Sequence, residues 1–341
     1  MPPISIKPSK AKQPVWKSLA AKYQIPSTWK SVWQFGNSLI PFLVIWYLMY
    51  RSLGIISYWF TLLLALLAAG FWLRLFIIQH DCGHGSFFRS RKANELVGTI
   101  CSLITWTPYR YWQKSHAIHH ANAGNLEHRG IGDIYTMTVD EYQQLSNWGK
   151  LKYRLYRHPL ILFVIGATLL FVVLYRFPTS KVKALKKVRS SIYWTNLALI
   201  LLVGGLVWLV GLKAFLLIHA PLIIIASTVG AWLFFVQHQF EDTYWADNDS
   251  WDYTLAALQG SSYYKLPKIL QWFTGNIGFH HIHHLSPRIP NYRLQQCYDE
   301  NPIFQETVVL TLWTSLKSAL LALWDEEQKK LIRFSQLRHE N

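Results

Sequence analysis

The chain has 341 residues, 51% of them hydrophobic, and a formal net charge of +16 from 34 Lys and Arg against 18 Asp and Glu. Its long apolar runs exclude a pair of soluble domains and point to a polytopic membrane protein. No nucleic-acid motif accompanies the basic charge, so no nucleic-acid partner is expected. The three cysteines, Cys82, Cys101 and Cys297, form no CxxC pair, which argues against disulfides, iron–sulfur clusters and c-type haem.

In chain order, residues 1–30 carry six lysines and no acid, and form a basic segment without the pattern of a cleavable signal peptide. Residues 31–341 read as a single membrane domain. Val32–Tyr50 and Ile55–Ile78 are long enough to span, and the short Arg51–Gly54 connection makes them a hairpin. Leu96–Trp106 is too short to cross and must lie in the interface or dip in and return. Leu160–Tyr175 is flanked by Arg154 and Arg157 on one side and by Arg176, Lys181, Lys183, Lys186, Lys187 and Arg189 on the other. The positive-inside rule places both flanks in the cytoplasm, so this run should also fail to cross. Tyr193–Gly211 and Ala214–Val236 form a second hairpin about Leu212–Lys213. The apolar stretch Phe304–Trp324, interrupted by Glu306 and Lys317, is expected to be an amphipathic helix on the cytoplasmic cap. The resulting fold class is an all-α membrane protein: four transmembrane helices in two hairpins, both termini inside, and a cytoplasmic helical cap.

Histidines concentrate on that cap. Three clusters, His80-Asp-Cys-Gly-His84, His116-Ala-Ile-His119-His120 and His280-His281-Ile-His283-His284, repeat the i, i+3, i+4 spacing that puts residues on one helix face. Neutral imidazole is the commonest protein metal ligand, so three such clusters point to a polynuclear metal site. The second and fourth spans both end in Gln-His, at Gln79-His80 and Gln237-His238, which makes His238 a ninth candidate beside His80, His84, His116, His119, His120, His280, His283 and His284. Shared between two metals, these supply four or five rings each. His281 lies about 100° off the face of its cluster and is left out. His128 reads as solvated, and His219, inside the fourth span, as a neutral histidine bonded to a neighbouring helix. Cys82 is read as a small packing residue. Ligand type alone does not choose among zinc, copper, iron and nickel. Asp81, Glu127, Asp133, Glu241 and Asp242 stand near candidate ligands, either as acceptors that orient the rings or as solvated loop acids.

The boxes HxxxH, HxxHH and HxxHH resemble those of the membrane fatty acid desaturases. The longer stretches His80-Asp-Cys-Gly-His-Gly-Ser-Phe-Phe, Gly130-Ile-Gly-Asp133-Ile and Gly275-Asn-Ile-Gly-Phe-His-His-Ile-His-His-Leu-Ser-Pro-Arg-Ile-Pro-Asn-Tyr292 are similar to the bacterial and cyanobacterial acyl-lipid branch, which includes the Bacillus-type delta-5 enzymes. The resemblance covers roughly 31–298. It implies two iron ions held by the nine histidines, dioxygen as co-substrate, two electrons from a carrier, and a cis double bond placed in an acyl chain. Zinc is expected to replace iron in overexpressed protein, because it binds such donors more tightly than ferrous iron. It implies a multi-pass protein of a bacterial or cyanobacterial membrane with a cytoplasmic active site.

The family's acyl-CoA branch has an asparagine one turn before the extra histidine, where this chain has Phe234; Asn276, near the third box, is the other candidate for a supporting contact. Without a His-Pro-Gly-Gly motif no fused cytochrome b5 domain is expected. Electrons then come from a soluble acidic carrier, ferredoxin or flavodoxin, and the substrate is the acyl chain of a membrane lipid. Tyr58, Trp59, Trp72, Trp232 and Phe235 either line an acyl tunnel or belong to interfacial aromatic belts. Two other readings are a di-iron hydroxylase of an alkane, sterol or carotenoid, and a membrane metal transporter or sensor. Regioselectivity is not legible.

Overall fold

The structure, a computed structural model, describes residues 14–337, so the first thirteen residues of the basic segment and residues 338–341 lie outside it. Helix α1 (Val15–Ala21) precedes the first hairpin, α2 (Thr28–Ile55) and α3 (Tyr58–His84). Their most apolar windows have mean hydropathies of 1.4 and 2.2. The helix α2 continues through the expected loop, and the break falls at Ile56–Ser57, where the Ser57 side chain accepts the Trp59 amide and caps α3. At the other end, Gly85 adopts φ +69°. There the amides of Gly85 and Ser86 return to the carbonyls of Cys82 and Asp81. This left-handed cap stops α3 with His80 and His84 on its last turns.

Two short helices, α4 (Arg91–Ile104) and α5 (Tyr109–Asn122), make the excursion expected of Leu96–Trp106. Ser90 caps α4, which packs along α3. At the turn, Thr105 donates to Gln79 at 2.6 Å and the Trp72 indole donates to the Ile104 carbonyl at 3.1 Å. Helix α5 then returns its histidines to those of α3, so the excursion does not cross.

Strand β1 (Met137–Thr138), α6 (Val139–Gln143) and α7 (Asn147–Arg157) follow. The run 160–176 is bent by 64° from α7 and forms a π-type turn over Leu160–Gly166, then α8 (Ala167–Val172). Arg157 at its start donates to Gln239 at 3.0 Å, next to His238, and Arg176 at its end holds the Trp106 carbonyl. Past the short α9 (Lys183–Lys186), Val188 borders the same pocket as His84. The start of the run and the segment after α9 therefore sit on the histidine side.

The second hairpin is α10 (Ser190–Val210) and α11 (Leu212–His238). It turns on Gly211 alone, whose φ of +83° suits glycine. Pro221 inside α11 has no amide to give the Leu217 carbonyl, and the Tyr58 hydroxyl takes its place at 3.1 Å, tying the hairpins together. Among the described residues, α2, α3, α10 and α11 are the four helices long and apolar enough to cross a membrane.

The cap is built from α12 (Tyr253–Leu258), strand β2 (Tyr263–Lys265), α13 (Lys268–Phe273), α14 (His280–Leu285), α15 (Asn291–Glu300) and the C-terminal region. The fold is mostly helical, with a little sheet that the sequence did not foretell. The amphipathic helix expected over Phe304–Trp324 does not form. The region divides into β3 (Val309–Thr311), α16 (Leu312–Ser315), a 3-10 turn and β4 (Leu321–Asp325), which pairs antiparallel with β5 (Lys330–Arg333) and parallel with β1. Leu321, Ala322, Leu323 and Trp324 are all buried. Four consecutive apolar residues leave no polar face for a surface helix but suit a strand covered on both sides. Strand β3 pairs parallel with β2.

Candidate metal centre

Four helix ends bring nine histidines together: α3 gives His80 and His84, α5 His116, His119 and His120, α11 His238, and α14 His280, His283 and His284. Their ring nitrogens sort into two groups, each mutually within 4.8 Å: His80, His84, His116, His120 and His283 in one, and His119, His238, His280 and His284 in the other. Helical periodicity pairs rings one turn apart, and the neighbouring helices decide which group each ring joins. His116 and His120 are i, i+4 partners and serve one group, while His119 between them turns to the other. On α14 the pair His280 and His284 serves the second group and His283 the first. His120 and His284 stack across the boundary with centroids 4.0 Å apart.

For two of the rings an acceptor on the far side fixes which nitrogen faces inward. His80 Nδ1 lies 3.1 Å from Asp81 Oδ1, and His238 Nδ1 lies 3.1 Å from the Gly260 carbonyl. With these acceptors Nδ1 carries the proton and Nε2 offers its lone pair. The second Asp81 oxygen accepts the Asn291 amide at 2.7 Å and its side chain at 2.9 Å, so α15 holds the carboxylate in place.

All nine Nε2 atoms converge, and none has an ordinary partner. Those of His80, His84 and His284 are buried without a hydrogen bond. The rest face only one another, as in His280 to His238 at 2.9 Å and His120 to His116 at 3.0 Å. Buried polar atoms are normally satisfied, and these nine ring nitrogens are not. The donor sets suit one metal ion each, with imidazole acceptable to iron and zinc. Burial, and next the neighbouring rings, pushes His116, His119, His120, His280, His283 and His284 well below the ordinary imidazole range. They are neutral at pH 7, as metal ligands must be.

The other candidates are placed differently. His281 turns its Nε2 to the Phe304 carbonyl at 2.8 Å, away from both groups. The His219 ring stacks on Phe215 and Trp106 within the hairpins. Cys82 is buried and belongs to neither group. Asp133 accepts the Gly130 amide at 2.6 Å and lines a small cleft with His119 and His238. Burial pushes its carboxyl up to about 6. Glu241 pairs with Lys330 at 3.7 Å, and Glu127, Glu241 and Asp242 make no hydrogen bond to any of the nine rings among the described residues. Asn276 reaches the cluster only indirectly, by donating to the Asn291 carbonyl at 3.1 Å.

Phe234 packs against His119 at 5.1 Å and, with Ile134, Phe235 and Trp245, makes an apolar wall beside His119 and His238. Trp59, by contrast, is 79% exposed at the opposite end of α3. Asn291 and Gly260 are supporting residues that sequence reasoning missed. Asn291 stands 210 positions from Asp81, and no spacing rule joins them.

Residues 56–314 match the family model described as fatty acid desaturase. The chain is 46% identical over 323 residues to a fatty acid desaturase of Bacillus subtilis, covering 95% of this chain and 91% of that protein. It is 27% identical over 263 residues to the sn-1 acyl-lipid omega-3 desaturase (ferredoxin) of Synechocystis, covering 69% of this chain and 68% of the relative. A similar match, 27% over 272 residues, is to the sn-1 oleoyl-lipid 12-desaturase of Anabaena variabilis, covering 73% of this chain and 71% of the relative.

Proposed function

As a member of the fatty acid desaturase family, this chain is a membrane enzyme, and we propose that it inserts a cis double bond into the acyl chain of an intact membrane lipid, using two irons held by the nine histidines and electrons from a separate acidic carrier. The convergence of nine otherwise unpartnered Nε2 atoms on two centres is the observation that carries this reading. Sites of five and four imidazoles, with no carboxylate in either, divide the rings between two ions. When bound, the irons supply dioxygen activation and hydrogen removal from an unactivated methylene.

The protein's own contribution is positioning. Asp81 and Gly260 hold the His80 and His238 rings with Nε2 inward, and burial in the cap keeps the six rings of α5 and α14 neutral. Ile134, Phe234, Phe235 and Trp245 beside His119 and His238 give the side on which an acyl chain would lie an apolar wall. The names of the cyanobacterial relatives favour a lipid-borne substrate and ferredoxin. The basic loop after α8 supports a cytoplasmic histidine side by the positive-inside rule.

The test uses the purified protein in membranes that contain labelled saturated phospholipid, with reduced ferredoxin and oxygen supplied. The expected result is a cis double bond in the preformed phospholipid, located by mass spectrometry. Desaturation of acyl-CoA but not of phospholipid would overturn the substrate assignment, and a hydroxyl product would favour the hydroxylase reading.

A further inference from the structure

The histidine cluster is approached from two sides that differ in charge. Beside His119 and His238 a small cleft is walled by Ile134, Phe234, Phe235 and Trp245, with Asp133 and Gln239 also lining it and no basic side chain. Beside the other group an open pocket of ≈ 480 Å³ lies between the end of α3, the start of α4 and α5, and His84 is the one of the nine rings that lines it. The Gln113 amide closes its inner wall by donating to the Gly83 carbonyl at 2.7 Å. Arg89, Arg91, Arg110 and Lys114 surround the opening, against the single carboxylate of Glu95, which Arg110 pairs at 3.1 Å. Arg91 and Lys114 are exposed. Neither has an acidic partner among the described residues.

Resting on the reading that electrons come from a separate acidic carrier, we propose that this pocket is where the carrier docks, with its acidic face on Arg89, Arg91, Arg110 and Lys114 and its redox group against the edge of His84. Electron transfer slows steeply with distance, and this is the place where a water-soluble partner meets a candidate ligand ring. Opposed charges steer such encounters and make them salt-sensitive. The turnover to be supplied is R–CH2–CH2–R′ + O2 + 2 e− + 2 H+ → R–CH=CH–R′ + 2 H2O, so the carrier delivers two electrons in single steps and water takes both oxygen atoms. A lipid head group shares the negative charge. Its acyl chain, however, belongs beside the apolar wall at His119 and His238, on the other group of rings.

The test compares wild type with the Arg91→Glu/Lys114→Glu double variant, both full-length in zwitterionic nanodiscs, with reduced ferredoxin as the probe. We expect the KM for ferredoxin to rise by about 10-fold or more and its salt dependence to flatten, with kcat at saturating ferredoxin little changed. The rate driven by dithionite and a neutral mediator should stay the same, which separates docking from damage to the centre. A Lys152→Glu/Lys317→Glu control, elsewhere on the cap, should leave the KM unchanged. An unchanged ferredoxin KM in the double variant overturns the proposal. So does a raised KM for the lipid alone, which would mark a head-group site. Wild-type turnover with dithionite but with neither ferredoxin nor flavodoxin would instead remove the parent reading of an acidic carrier.

Discussion

Asp81 offers the sharpest test of how the rings are held. Its carboxylate is 1% exposed and accepts from three donors: His80 Nδ1 at 3.1 Å, and the Asn291 amide and side chain at 2.7 and 2.9 Å. Asp81→Ala would orphan all three. At about 1–3 kcal/mol for each buried donor left unpaired, the cost is roughly 3–9 kcal/mol before relaxation, enough to threaten folding. Asp81→Asn is the informative variant, because it keeps the volume and loses the charge. One end of the amide can still accept, but its NH2 must then face a donor. The His80 ring loses the partner that fixes its tautomer, and such losses typically lower metal affinity by about 10–100-fold. Metal content after graded chelator exposure, read by elemental analysis beside a thermal melt, would measure this. The metal bound by His80, His84, His116, His120 and His283 should leave first and activity should fall with it. Asp81→Asn protein that keeps both metals against the chelator as wild type does, with full activity, would refute the reasoning.

His238→Ala should abolish product formation and lower the metal content of the four-histidine group, whereas His281→Ala should keep both metals and lose about 1 kcal/mol with the Phe304 contact; equal metal contents in the two variants would remove His238 from the ligand set. The six cap rings bind fewer protons folded than unfolded, so metal-free protein should have a flat melting temperature above about pH 7. Its stability should then fall as pH drops through 6.5, by up to about 1.4 kcal/mol per pH unit for each such ring; a midpoint that rises on acidification would contradict the burial of neutral rings. Cysteines introduced at Ser57 and Lys213 should react with an impermeant reagent from outside intact cells, and those at Lys183 and Arg288 should not. Labelling at Lys183 would mean that the 160–176 run crosses after all.

The sequence by itself determined the spans, the excursion at Leu96–Trp106 and the nine-histidine set, because each rests on local periodicity. Apolar length, the i, i+4 face and the charge flanking a run are properties of a contiguous segment. What only the tertiary structure decided are relations between segments. Spacing put His116, His119 and His120 on one helix face, but the positions of α3, α11 and α14 separate His119 from its neighbours and divide the rings into five and four. The acids show the same limit. Asp81, Glu127, Asp133, Glu241 and Asp242 are alike in composition and nearness, yet Asp81 reaches a ring because α15 meets the end of α3, while Glu241 turns to Lys330. The C-terminal stretch misled for a related reason. Leu321–Trp324 is apolar enough for a helix face, and its strand form depends on β1 and β5, partners that local pattern does not reveal. A helix satisfies its backbone hydrogen bonds within itself and can be read from one segment, whereas a strand, a carboxylate or a metal site is completed by residues far along the chain.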